Sequence, residues 1–111
     1  MTEKGRKYLS DILLAIELIE EFMGGIGSYG EYRKDAKTKS AVERQLGIIG
    51  EAVNQFRRAE TNFELSHARQ VVTFRNRLIH AYDSVDDSIV WAIVKNHLSI
   101  LKTEAELGLT K

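Results

Sequence analysis

"AVERQLGIIGEAVNQF", Ala41 to Phe56, holds the pattern that decides the fold. Ala41, Val42, Gln45, Leu46, Ile48, Ile49, Ala52, Val53 and Phe56 recur at spacings of three and four, which is one wide face of an α-helix and not the alternation of a strand. Two glycines, Gly47 and Gly50, interrupt this stripe, and each costs about 1 kcal/mol of helix propensity against alanine. Glycine inside a helix points to a close backbone approach, so the pair is read as a helix–helix or subunit contact, ahead of the floor of a pocket.

The same period extends in both directions. The spacing predicts a helix from about Glu3 to Met23, carrying Leu9, Ile12, Leu13, Ile16, Ile19 and Met23 and stopped by Gly24, Gly25 and Gly27. "SYGE" has the form of a capping box, Ser28 with Glu31, and starts a short helix from about Tyr29 to Asp35. The quoted stretch sits in a helix from about Thr38 to Glu60. "ETNFE" reads as a turn, followed by a helix from about Glu64 to Ile79. Asp86 or Asp87 caps a last helix from about Asp87 to Leu107. With no proline, no lasting strand pattern, no repeat and no linker, residues 1–111 read as one all-α domain, an up-and-down bundle of four to five helices.

Composition narrows the function. The 111 residues contain no cysteine, which excludes a disulfide framework and thiolate metal sites. No apolar run reaches the roughly 18 residues of a membrane span, and the start has no signal-peptide pattern, so a cytoplasmic, non-membrane protein is expected. Sixteen basic and sixteen acidic residues cancel, yet the charge is uneven: Arg57, Arg58, Arg69, Arg75 and Arg77 face only Glu60 and Glu64 between Arg57 and His80. Such a basic stretch suits a polyanion, and also suits an ordinary solvated helix face.

Chemistry concentrates in "RNRLIHAY", Arg75 to Tyr82. A guanidinium holds phosphate oxygens and stabilises added negative charge, and a histidine moves protons near neutral pH. Together they match what metal-free RNA cleavage requires at a 2′-hydroxyl. Asn76 and His80 are four apart and share a helix face, while Arg75 lies about 140° round the helix from His80. One histidine cannot easily act as both base and acid, which favours a homodimer bringing two copies to one cleft. The simpler alternative is a helix end whose His80 interacts with the helix dipole and whose Arg75 pairs with a carboxylate such as Glu51. Glu51 stands beside the apolar stripe and needs a partner, Arg75 or Arg44. His67, His80 and His97 lack ligand spacing, so no metal site is expected. Trp91 is read as a core or interface anchor.

In register along the chain, "IIGEAV" (Ile48–Val53), "RNRLIHAY" and "DSVDDSIVW" (Asp83–Trp91) resemble the HepT-like branch of the HEPN superfamily, over Tyr8 to Leu107. The resemblance implies a homodimeric, metal-independent endoribonuclease toxin of a prokaryotic toxin–antitoxin pair. Carried over by position, Arg75 and His80 are the catalytic residues, with Asn76 supporting them. It further implies an MntA-like nucleotidyltransferase antitoxin as partner, which uses ATP to transfer AMP onto Tyr82. No cofactor is implied for catalysis itself. A non-catalytic partner that binds nucleotide or docks a nucleotidyltransferase is the alternative. One departure stands out: relatives often carry a proline–aromatic pair where this chain reads "SHARQ", Ser66 to Gln70, which predicts a changed entry to the fourth helix.

Overall fold

A computed structural model describes residues 1–80 and 85–111, which form α1 (Glu3–Met23), α2 (Tyr29–Lys34), α3 (Ala36–Ala59), α4 (Arg69–His80), α5 (Asp87–Asn96) and α6 (Leu98–Leu109). Among the described residues there is no strand. The all-α expectation holds, with six helices in place of five because the last one is broken.

The helix starts follow from their caps. The Thr2 side chain accepts from the Gly5 amide at 3.0 Å and starts α1. Ser28 accepts from the Glu31 amide at 3.2 Å, while the Glu31 carboxylate reaches back to the Gly27 amide at 2.7 Å. The reciprocal box read from the sequence therefore forms, with its return bond one residue upstream of the usual place. Asp35 does not close α2 as a helical residue; it accepts from the Thr38 amide at 3.0 Å and the Thr38 hydroxyl at 2.7 Å, so α3 begins at Ala36. Asp86, one of the two expected caps of α5, accepts from the Ser88 amide at 2.9 Å.

The core lies where α1 and α3 run against each other. Leu9, Ile12, Ile16 and Ile19 of α1 meet Leu46, Ile49, Val53 and Phe56 of α3, all with essentially no exposed surface. α4 packs on α3, and α6 packs on α1. The bundle is stapled at one end where the backbone amide and hydroxyl of Thr2 donate to Glu60, at the C-cap of α3, at 2.6 and 2.8 Å. Trp91 packs half-buried against the core, with ring centroids 5.8 Å from Tyr29 and 5.9 Å from Tyr32, and with Lys95 over its face. The Tyr32 hydroxyl is buried without a hydrogen-bond partner among the described residues, and burial pushes its ionisation well above the usual phenol range.

Two expected boundaries are corrected. The spacing predicts the fourth helix from about Glu64, but α4 starts at Arg69. The Ser66 amide and hydroxyl, at 2.9 and 2.6 Å, and the His67 amide, at 3.3 Å, donate to the Glu104 carboxylate of α6. Those tertiary bonds hold the segment in a non-helical turn while Leu65 and Ala68 are still buried. The spacing predicts one unbroken last helix from about Asp87 to Leu107, but His97, at φ −122° and ψ −32°, separates α5 from α6. The break lets α5 pack towards α2 and α4 while α6 turns onto α1.

Candidate active site

The opening position for the site is Gly50, buried in α3 where α4 crosses it. A β-carbon there would stand 2.5 Å from Arg75 Cβ and 3.1 Å from the Val71 carbonyl oxygen. Only glycine permits that approach. Gly47, one turn earlier, meets nothing closer than Leu78 Cδ1 at 3.4 Å, so the close helix–helix contact belongs to Gly50.

The crossing brings Arg75 onto Glu51. The Arg75 guanidinium forms an ion pair with Glu51 Oε2, whose other carboxylate oxygen accepts from Gln55 Nε2 at 2.9 Å. A second Arg75 nitrogen donates to Asn76 Oδ1 at 3.3 Å. The carboxylate expected from the sequence to need a partner thus finds it in Arg75, not Arg44. Held by Glu51 and Asn76, the guanidinium has a defined orientation while remaining 27% exposed, enough to take a phosphate oxygen.

His80 is the last residue of α4 and is exposed. Asn76, expected to share a face with His80, has its side-chain oxygen turned to Arg75. Tyr82 lies outside the described residues, as does Asp83 of the third motif block.

Apolar surface surrounds this crossing. Ile48 is 37% exposed and Ile79 58% exposed, and Leu14 on α1 is 60% exposed. Ile48 separates two shallow depressions, one of about 520 Å³ bordered by Arg44, Gly47 and Leu78, the other of about 380 Å³ bordered by Tyr8, Asp11 and Glu51. Arg75, Leu78 and Ile79 share one face of α4 by their spacing.

A second cluster has no mark in the residue spacing. His67 and His97, thirty residues apart, come together with their Nδ1 atoms 3.2 Å apart. The break at His97 and the turn before α4 create this pair. Among the described residues no group of three or more His, Asp or Glu side chains is placed to hold a metal ion, and no helix is long and apolar enough to cross a membrane.

Comparison with known proteins bears out the family resemblance. The family model described as Ribonuclease HepT-like matches residues 12–107. A Thermococcus cleftensis protein named "Probable ribonuclease HepT" is 40% identical over 110 residues, covering 96% of each chain. A Methanocaldococcus jannaschii protein with a name of the RNase class is 35% identical over 92% of this chain and 94% of its own. Another with such a name, from Caldanaerobacter subterraneus, is 31% identical over 96% of this chain and 95% of its own. No solved structure matches the chain significantly.

Proposed function

The chain belongs to the ribonuclease HepT-like family, and on that premise we propose that Arg75 and His80 are the catalytic residues of a metal-independent endoribonuclease toxin. The enzyme class, an endoribonuclease of the HEPN type, goes with the family. The observation that carries the assignment of residues is the fixed guanidinium of Arg75, tied to Glu51 and Asn76 one helical turn and a half before an exposed His80.

The chemistry follows from the groups. His80 takes the proton of a 2′-hydroxyl, whose oxygen attacks the adjacent phosphorus. The Arg75 guanidinium stabilises the charge on the five-coordinate phosphorus. The bond to the 5′-oxygen breaks, and a second histidine protonates the departing oxygen. The products are a 2′,3′-cyclic phosphate and a 5′-hydroxyl end.

The second histidine comes from a second copy. One copy offers a phosphate a single histidine, with Arg75 about 140° round α4 from it. A two-fold dimer supplies both groups from each copy to a shared cleft. The face bearing Leu14, Ile48 and Ile79 is the natural contact, since it exposes apolar surface beside the Arg75–Glu51 pair.

The partner is a nucleotidyltransferase antitoxin of the MntA-like class. It transfers AMP from ATP to the Tyr82 oxygen, releasing pyrophosphate and the phenolic proton. Two residues after His80, an adenylyl group adds bulk and negative charge beside the cleft and repels RNA. The site of action is the cytoplasm, where RNA and ATP are found.

Induction of the chain in a bacterial host, alone and with the antitoxin, tests this reading. Growth arrest by the wild type, none with His80→Ala, and release by the antitoxin are expected. Continued growth despite expression of folded wild-type protein contradicts the toxin assignment.

A further inference from the structure

The proposed chemistry leaves unused a groove between α4 and α5. It encloses about 350 Å³ over an apolar floor of Phe74, Ile89 and Ile93. Its rim is polar: Arg69, Thr73 and Arg77 line it from α4, and His97 from the break before α6. This volume suits one nucleoside, and an apolar floor with a few polar groups at its edge is the usual form of a small-molecule site.

The rim has a direction. Arg69, Thr73 and Arg77 are spaced by four and form one stripe along α4, about 12 Å from end to end. His80 continues that stripe, about 20° round the helix from Thr73 and 60° from Arg77. Arg75 faces the other way, onto α3. Asp86 lies close enough to feel the Arg77 charge, and its carboxylate is already engaged by the Ser88 amide and hydroxyl at the start of α5. Two guanidinium groups therefore flank an open apolar recess that leads to the histidine.

We infer that this groove is a nucleotide subsite for single-stranded RNA, with the base against Phe74 and Ile93 and the flanking phosphates on Arg69 and Arg77. It rests on the ribonuclease reading above and deepens it: the strand is positioned along α4 so that a neighbouring phosphate reaches His80. Phosphate contacts set the register of the strand, and the recess holds one base out of its stack.

The test uses the full chain carrying His80→Ala, so that RNA stays intact, and a fluorescein-labelled single-stranded RNA read by anisotropy over a range of salt. Ala92→Trp fills the recess from its exposed edge and is expected to weaken binding about tenfold, the size of a lost base-stacking contact. Arg69→Gln and Arg77→Gln, which leave the core untouched, are each expected to lower the slope of log affinity against log salt by about 0.7. Unchanged affinity and slope in all three variants, with the parent binding, overturns the subsite while leaving the ribonuclease reading intact. A parent that binds no RNA, together with a wild type that cleaves none, overturns both. If Ala92→Trp instead changes the particle mass in light scattering, the groove is a contact between copies and the subsite is overturned.

Discussion

Replacing Gly50 by alanine tests how the site is built, and Gly47 supplies its control. Both glycines lie inside α3, so Gly→Ala at either gains about 1 kcal/mol of helix propensity, and this gain cancels in the comparison. What remains is space. At Gly47 the new methyl meets Leu78 Cδ1 at 3.4 Å, an ordinary contact. At Gly50 it meets Arg75 Cβ at 2.5 Å and the Val71 oxygen at 3.1 Å. Neither of those atoms can rotate away, because both are fixed by the α4 backbone. The helices must part by about 1 Å, and overpacking of this kind costs about 1–3 kcal/mol. For a chain of this length that difference corresponds to a melting temperature about 4–13 °C lower for Gly50→Ala than for Gly47→Ala. Thermal unfolding followed by circular dichroism at several protein concentrations, which separates any effect on association, gives the value. A Gly50→Ala variant that melts at or above Gly47→Ala refutes the close approach, and with it the placement of Arg75 on Glu51.

Other expectations concern single groups. Tyr32→Phe removes a buried hydroxyl that has no partner among the described residues, and should raise stability by about 1 kcal/mol in urea unfolding; a loss of that size would show that the hydroxyl is satisfied. Glu51→Gln leaves one partner of a half-exposed pair, so stability should change by less than about 1 kcal/mol, whereas turnover of RNA should fall as Arg75 loses its fixed orientation. Equal turnover would assign Glu51 no part in positioning. Hydrogen bonds hold the carboxyls of Asp35, Glu60 and Asp86 below their ordinary values of 3.8, 4.5 and 3.8. In the acid range the unfolded chain then binds more protons than the folded one, so stability rises with pH there. Their contribution is complete above the ordinary carboxylate range and disappears as pH falls through the lowered values. Melting temperatures between pH 6 and pH 3 should decline, and less steeply in Glu60→Gln; identical slopes would contradict the assignment.

The sequence showed most of the fold because helical periodicity is local. The period predicts α1 to its last residue, and α3 differs by two residues at its start, where Asp35 serves as a cap and not as the end of α2, and by one at its end, where Glu60 is the cap. The errors arose where tertiary contacts decide. Leu65, Ala68 and Val71 keep helical spacing, but Glu104 takes the Ser66 and His67 amides, and the helix waits until Arg69. The period likewise runs on through Ile93, Val94, Leu98 and Leu101 with no glycine or proline to mark the break at His97. The Arg75–Glu51 pair was legible because a carboxylate beside an apolar stripe must find a cation. The α4–α5 groove was not, because its walls come from residues whose spacing carries information only after the last helix has broken.

The most direct test of the central claim is cleavage of single-stranded RNA by the purified chain in the presence of a metal chelator, beside Arg75→Ala and His80→Ala. The account predicts cleavage by the wild type to 2′,3′-cyclic phosphate ends, and a loss of about 100-fold or more in each variant. Intact RNA with the wild type, or variants that cut as fast as it does, would contradict it.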